Sequence, residues 1–213
     1  MSATSSTEPA VKHCTWSMLA PRYLDARDCL AAFIALEAAE VLAGAKPANL
    51  VRISSRPQPC GQNLFSLWQD YGSETITGTT LETFVLQEDK GSLLLLLYAP
   101  SLLEKRLSGR GATTLLKKVG YPPGQSWRDA LNWLRGRFRD NAFPHEVGLF
   151  LGYPLKDVQA FLGLKALPVT GQCLWKIYGH RWRSERLAGI YRSRRFSMAE
   201  RLNAGESPLL LLG

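Results

Sequence analysis

The stretch Thr83-Phe-Val-Leu-Gln-Glu-Asp-Lys-Gly-Ser-Leu-Leu-Leu-Leu-Leu-Tyr98 decides the fold class of this chain. Two apolar runs flank a polar turn, residues 88–91, that ends in glycine, and this arrangement is typical of a β-hairpin. The second run is leucine without polar alternation, so we expect that strand to be buried on both faces. A strand of this kind needs covering layers on both sides, and the rest of the chain must supply them.

Helical patterns precede and follow the hairpin. The two clearest, over residues 25–43 and 127–139, place apolar side chains on one helical face. Further helices are predicted over residues 62–71, 100–108, 112–119, 145–151, 154–162, 180–196 and 197–203, and further strands over 50–53 and 173–178. The elements mix without a regular β-α-β alternation. The sequence therefore predicts a flexible leader, residues 1–20, and a single α+β domain, residues 21–213, whose small, mainly antiparallel sheet contains the hairpin and the 175–178 strand and is packed by several helices.

The composition fits a folded, soluble protein. Of the 213 residues, 46% are hydrophobic and 21% are charged, which excludes a disordered or collagen-like chain. The formal net charge of +8 divides unevenly, with −3 over residues 1–100 and +11 over residues 101–213. The basic C-terminal half favours an anionic small molecule or a nucleic acid as partner, although net charge does not identify a reaction.

Processing and metal signals are lacking in the sequence. The first ten residues have no apolar secretory core, and no segment reaches the roughly 18 apolar residues of a membrane span, so we expect a cytoplasmic protein without a membrane span. The four cysteines, Cys14, Cys29, Cys60 and Cys173, form no C-x-x-C pair, so we expect reduced thiols and no metal site. Neither a phosphate-binding G-x-x-x-x-G-K-[ST] loop nor a nucleophile elbow occurs, and no motif names a cofactor.

The densest group of candidate site residues lies within residues 143–161. Pro144 suits an early helix position, which places His145 and Glu146 in the first turn of a predicted helix. The helix dipole stabilises a carboxylate there and disfavours an imidazolium, so His145 is expected to be neutral. A neutral imidazole beside a carboxylate can bind a ligand or act as a general base. Alternatively, both side chains cap the helix and bond to neighbouring loops.

The same segment matches a helix-turn-helix template over residues 145–162. Gly148 takes the small position and Gly152 takes the turn. Together with the basic C-terminal half, this match favours a nucleic-acid-binding module. The second helix offers only Lys156 and Gln159 to phosphates or bases, so an ordinary pair of core helices stays open as an alternative.

A second basic feature is the predicted helix over residues 180–196. It interleaves aromatic residues with six arginines, namely Arg181, Arg183, Arg186, Arg192, Arg194 and Arg195. Guanidinium groups pair bidentately with phosphate and aromatic rings stack on bases, which favours an anionic ligand or nucleic acid. The alternative is a solvated helix face whose aromatic side chains pack inward.

Residues 143–158, Phe-Pro-His-Glu-Val-Gly-Leu-Phe-Leu-Gly-Tyr-Pro-Leu-Lys-Asp-Val, resemble the FPHEIGLFLGYPLEDV signature of a bacterial family of unknown function found largely in anaerobes. Segments 42–50, 93–98, 116–122 and 175–178 agree with that family in order, so the resemblance spans about residues 30–208. It implies no activity. Members carry a His-Cys pair shortly before the A-G-x-K-P-A-N-L segment, and residues 36–41 here contain neither His nor Cys. The resemblance places any shared site at Lys46, His145, Glu146 and Tyr153.

The leading prediction is a ligand-binding or accessory protein with a His-Glu polar site at a helix start and arginines that attract an anionic ligand. The predicted site residues are His145, Glu146, Tyr153, Lys46, Arg181 and Arg183. One alternative is a nucleic-acid-binding module built on residues 145–162 and the Arg-rich helix. The other is an enzyme of unassigned reaction with His145 as its base.

Overall fold

A computed structural model of the chain describes residues 15–139 and 143–213. The helices are α1 (Trp16–Leu19), α2 (Ala26–Glu37), α3 (Ala39–Leu42), α4 (Leu64–Ile76), α5 (Pro100–Leu107), α6 (Arg110–Lys118), α7 (Trp127–Arg139), α8 (Val147–Phe150), α9 (Leu155–Phe161), α10 (Trp182–Asn203) and α11 (Pro208–Leu212). The strands are β1 (Ala48–Ser54), β2 (Glu82–Asp89), β3 (Ser92–Tyr98), β4 (Val169–Gln172) and β5 (Lys176–Tyr178).

The central sheet is antiparallel, with strand order β1-β3-β2. The predicted hairpin is confirmed as β2 and β3, and its register pairs Thr83 with Leu97 and Asp89 with Ser92. Strand β1 pairs with the other edge of β3, with Ala48 opposite Tyr98. Every residue of β3 after Ser92 is buried, as expected for a central strand covered on both faces.

Alternate side chains of β3 enter two separate cores. Leu93, Leu95 and Leu97 join a core built from α2, α4, α11 and the end of α10. Leu94, Leu96 and Tyr98 join a second core built mainly from α5 to α9. The period of two along a strand thus divides one leucine run between two helical layers. This arrangement confirms the α+β class and the small antiparallel sheet.

The 175–178 strand does not belong to that sheet, contrary to the prediction. Strand β5 pairs antiparallel with β4 in a separate hairpin, with Val169 opposite Tyr178. Both edges of β3 are already occupied by β1 and β2, and β4 is the neighbour of β5 along the chain. Strand β4 gives no signal in the sequence, because Val-Thr-Gly-Gln is short and carries no apolar alternation.

Within the predicted leader, residues 16–19 form helix α1, and residues 1–14 lie outside the described part of the chain. Trp16 and Leu19 of α1 are buried in the first core, and Trp16 Nε1 donates to Gln58 Oε1 at 2.9 Å. Two apolar side chains on one helical turn are enough to dock this segment, although they are too few to give a periodic signal.

The predicted helix boundary at Ser197 is also wrong, because α10 runs without a break from Trp182 to Asn203. Buried residues continue across Ser197 on one side of the helix, at Tyr191, Met198 and Leu202. None of the helices in residues 15–139 and 143–213 is long and apolar enough to cross a membrane.

Candidate functional site

A cleft of about 530 Å³ lies between the α8–α9 segment, the start of β1 and the β4–β5 hairpin. Its walls are largely apolar and aromatic. The polar side chains that line it are Lys46, Asn49, His145, Tyr153, Asp157, Gln172, Trp175 and Lys176. Three of the residues predicted for the site, Lys46, His145 and Tyr153, therefore border one cavity.

Lys46 is a buried cation of this cleft, with 8% of its surface exposed. Its Nζ donates to Asn49 Oδ1 and lies 5.6 Å from the centre of the Tyr153 ring and 5.2 Å from that of Tyr191. These distances are within the range of cation–π attraction. Among the ion pairs of the described residues, none involves Lys46. A carboxylate therefore does not neutralise the ammonium by direct contact.

Asn49 connects Lys46 to a buried carboxylate. Its Nδ2 donates to Glu40 Oε2 at 2.7 Å and to the backbone oxygen of Glu37 at 2.6 Å. Burial lowers the pKa of Lys46 to about 8, and the Glu40 carboxylate opposes that shift. Lys46 thus retains a charge near neutral pH and loses it at a much lower pH than an exposed lysine does.

Aromatic stacking fixes the wall beside Lys46. The Tyr153 ring stacks on Trp175 with centroids 4.5 Å apart, and Trp175 meets Tyr191 edge-on at 6.1 Å. Gly152, which precedes Tyr153, has a φ of 78°, and a Cβ there would lie 2.6 Å from Pro47 Cδ. Glycine is therefore required at this turn, and the close packing on Pro47 places Tyr153 against the neighbouring lysine.

Asp157 is a buried carboxylate that the sequence analysis did not identify as a site residue. It is 2% exposed and accepts hydrogen bonds from Lys156 Nζ at 2.7 Å and Trp175 Nε1 at 2.9 Å. The Tyr178 amide at 2.9 Å and the Ser184 hydroxyl at 2.6 Å complete the set. Burial acts to raise the pKa of Asp157, but these hydrogen bonds outweigh it and the pKa lies below its ordinary value. The carboxylate thus connects α9 to β5 and α10. Its importance depends on donors from distant parts of the sequence, so the sequence alone does not indicate it.

His145 lies exposed at the rim of the cleft, between two aromatic side chains. Its ring meets the Phe161 ring edge-on at 4.9 Å and lies 5.9 Å from the Phe143 ring. Phe143 is 54% exposed and Phe161 is 43% exposed, so the rim presents apolar surface to solvent.

Glu146, which was predicted to form a polar site with His145, does not line the cleft that His145 borders. The helix begins at Val147, so both residues precede its first turn. Glu146 is 1% exposed, pairs with Arg137 and accepts a hydrogen bond from the Tyr121 hydroxyl at 3.2 Å. Adjacent residues in a turn point in different directions, so His145 faces solvent and Glu146 enters the second core.

Arg181 and Arg183 also lie outside the cleft lining. Arg181 Nη2 is 2.6 Å from Glu185 Oε1, and its guanidinium lies against Gly171 of β4. Both arginines are exposed at the start of α10. The position of Arg181 beside β4 does not follow from the sequence, because the pattern of residues 169–172 does not predict a strand.

The helix-turn-helix interpretation of residues 145–162 is not supported by the geometry. Helix α8 is a single turn of 4 residues, and α9 has 7 residues. Lys156, one of the two polar residues available for nucleic acid, is occupied by Asp157 and by the Tyr178 carbonyl at 2.6 Å. Gly148, Val158 and Phe161 of this segment instead line the cleft, and Val158 also packs in the second core.

No group of three or more His, Cys, Asp or Glu side chains in the described ranges could hold a metal ion.

A search of curated proteins and a search of solved structures gave no match. A scan against family models matched residues 34–212 to a family described as "Protein of unknown function (DUF3793)". That match includes the whole cleft, from Lys46 to Lys176. The chain belongs to the DUF3793 family.

Proposed function

We propose that this protein binds a small, largely apolar molecule that carries an acidic group, and that the acidic group binds beside Lys46. The observation that carries this proposal is the buried Lys46 ammonium, whose neighbours are the Asn49 amide oxygen and two tyrosine rings. A buried cation without a direct counter-ion is stabilised by an anion that enters the same cavity.

The walls of the cleft define the rest of the ligand. Its volume of about 530 Å³ is within the range of small-molecule sites, which are mostly apolar with a few fixed polar groups. Val147, Leu151 and Val158 contribute aliphatic surface, and Phe143 and Phe161 contribute aromatic edges at the rim. These walls favour a flat hydrocarbon or aromatic body.

A second cation, at the mouth of the cleft, favours an acid over a neutral molecule. Lys176 Nζ lies 5.9 Å from the Phe161 ring at the mouth, and His145 borders the same ring on another side. The one acid among the lining residues, Asp157, accepts four hydrogen bonds, and one of them comes from the Lys156 ammonium, which compensates its charge. Lys46 and Lys176 therefore leave the lining residues with a positive balance of charge.

A matched pair of ligands tests the proposal. Naphthoate and naphthylmethanol share one apolar body and differ in charge, and binding of each is measured by titration calorimetry near pH 7. A charge-assisted hydrogen bond contributes about 1.5–3 kcal/mol, so we expect the acid to bind at least tenfold more tightly than the alcohol. The Lys46→Met variant is expected to lose this preference.

The Lys118→Met variant serves as control, because Lys118 is an exposed lysine at the end of α6, away from the cleft. It should retain the full preference for naphthoate. Equal binding of acid and alcohol to the unaltered protein, or a preference that survives Lys46→Met, would overturn the proposal.

A second candidate function is nucleic-acid binding by α10, and the exposure of Trp182 favours it. The Trp182 ring is 64% exposed, and the Arg186 guanidinium lies 5.5 Å from its centre. A stacking ring beside a cation suits a single strand. Binding of a labelled oligonucleotide should then fall steeply with salt and with the double variant Arg183→Ala, Arg186→Ala, and should be indifferent to Lys46→Met.

A further inference from the structure

Two thiols lie side by side at the first core, and neither lines the cleft. Cys29 Sγ in α2 is 3.5 Å from Cys60 Sγ in the loop between β1 and α4. Cys29 is completely buried in the first core, and Cys60 is partly exposed. Cys60 is therefore the more accessible residue of the pair, and Cys29 lies behind it in the core.

The loop that carries Cys60 is held in place from several directions. Inside the loop, Gln58 N donates to the Gln62 carbonyl at 2.8 Å. Outside it, Trp16 donates to the Gln58 side chain at 2.9 Å, and Gln62 Nε2 donates to the Leu24 carbonyl at 2.8 Å. The loop is thus tied to α1 and to the segment before α2, and the proximity of the two sulfurs is a consequence of these bonds.

Only a small movement separates this contact from a covalent bond. A disulfide has an S–S distance of about 2.05 Å, so the two sulfurs must approach by about 1.5 Å. Gly61 follows Cys60 with a φ of 80°, and no atom lies within 4 Å of the position that a Cβ would occupy there, so other residues do not pack against the loop tip at this point. We propose that Cys29 and Cys60 form an oxidation site at which a small-molecule disulfide, such as oxidised glutathione, creates an intrachain disulfide.

The chemistry follows from the difference in exposure. The Cys60 thiolate attacks one sulfur of oxidised glutathione, which forms a mixed disulfide and releases one glutathione thiolate that takes up the Cys60 proton. Cys29 then loses its proton and attacks Cys60 Sγ, so the Cys29–Cys60 bond forms and the bond to glutathione breaks. The second glutathione thiolate takes up that proton, and the protein loses two hydrogen atoms overall. Burial raises the pKa of the Cys29 thiol, so Cys29 suits the second step and not the first.

The proposal is tested on the folded protein in a glutathione redox buffer, with free thiols blocked by iodoacetamide before proteolysis and peptide mass mapping. We expect a linked pair of peptides that contain Cys29 and Cys60, reversed by dithiothreitol. Cys173, whose Sγ contacts the Trp175 carbonyl, is the internal reference and should be alkylated. The Cys60→Ser variant should lose the linked pair and leave Cys29 alkylated only after denaturation.

A persistent glutathione adduct on Cys60, or a linked pair that appears only in denaturant, would overturn the proposal. The Cys29→Ala variant distinguishes the steps, because it should stop at the Cys60 adduct. If that substitution impairs folding, Cys60→Ser alone remains decisive through the mass map. A lower thermal midpoint of the oxidised than of the reduced protein would also overturn it, since a bond that fits the native geometry does not destabilise the fold.

Discussion

Lys46 Nζ lies 5.2 Å from the centre of the Tyr191 ring, so a cation from the loop before β1 rests on an aromatic residue of α10. Tyr191 is 1% exposed, and its hydroxyl donates to the Gly152 carbonyl at 3.3 Å. The same ring therefore supports both the lysine and the turn that carries Tyr153. Through these contacts Lys46 and Tyr153 meet a third, small apolar cluster that consists of Trp175, Ala188 and Tyr191.

The depressed pKa of Lys46 has a consequence for stability. The pKa is about 8 in the folded protein and 10.5 as the ordinary value, so the unfolded chain binds more protons between these pH values. Lys46 therefore opposes folding by up to about 3 kcal/mol below pH 8, and this cost disappears as the pH rises toward 10.5. We expect the free energy of unfolding, from urea titrations, to rise across this interval relative to Lys46→Met. Parallel pH profiles for the two proteins would contradict it.

Replacing Asp157 by asparagine should destabilise the protein by about 2–4 kcal/mol. The amide cannot accept from all four donors, and the change leaves Lys156 and the Trp175 indole without a full partner. Urea-induced unfolding measures the loss. Asp70→Asn is the matched control, since Asp70 is an exposed residue of α4 and should change stability by less than about 0.5 kcal/mol. An equal effect of the two substitutions would contradict the role of Asp157 as a junction.

The low pKa of Asp157 also predicts acid sensitivity. Because this pKa is below its value in the unfolded chain, the carboxylate stabilises the fold above the unfolded pKa, and this contribution is lost as the pH falls through the folded pKa. The stability difference between the unaltered protein and Asp157→Asn should therefore shrink on acidification. A difference that stays constant down to acid unfolding would argue against it.

Gly152→Ala and Gly163→Ala form a pair that separates backbone strain from steric contact. Both glycines have positive φ, 78° and 71°, but only the new Cβ at 152 meets Pro47, at 2.6 Å. Gly163→Ala should cost about 1 kcal/mol from backbone strain alone. Gly152→Ala should cost clearly more, and should also weaken naphthoate binding because Pro47 adjoins Lys46. Equal thermal midpoints for the two variants would contradict the close approach.

Glu146→Gln should lower stability and leave naphthoate binding unchanged. The buried carboxylate pairs with Arg137, and its removal leaves that guanidinium and the Tyr121 hydroxyl with a weaker acceptor. Arg137 is partly exposed, so we expect a loss of about 2 kcal/mol in chemical denaturation. Calorimetry would show whether the affinity is affected. A large loss of naphthoate binding in a folded variant would return Glu146 to the site.

Local patterns predicted most of the secondary structure because each element carries its signal within a few residues. The 83–98 hairpin and α7 follow directly from apolar runs and from helical spacing. The elements missed, α1, β4 and α11, are short, and their formation depends on what they pack against. The same reason explains the single helix α10, whose buried face continues past Ser197.

The candidate cleft could be predicted only in part, because the direction of each side chain depends on tertiary packing. Lys46, His145 and Tyr153 meet at one cleft, while Glu146 is turned into the core one residue after His145. Residue order along the chain shows which groups are present, but the direction of each side chain at a turn depends on tertiary packing. Asp157 could not be predicted as a buried junction, because its donors Trp175, Tyr178 and Ser184 lie in or beside β5 and α10.

The sequence by itself determined the α+β class, because the polar turn places the leucine run in a hairpin strand and the flanking helical patterns supply the layers that cover it. Only the tertiary structure decided where the polar groups meet. The β4–β5 hairpin is not part of the three-stranded sheet and forms one wall of the cleft that Lys46 borders. Glu146 and Asp157 are buried by residues that are distant in the sequence. The pattern of apolar residues along the chain predicts which segments are buried. The partner of a buried charge lies on a distant segment, so only the tertiary packing determines which residue it is.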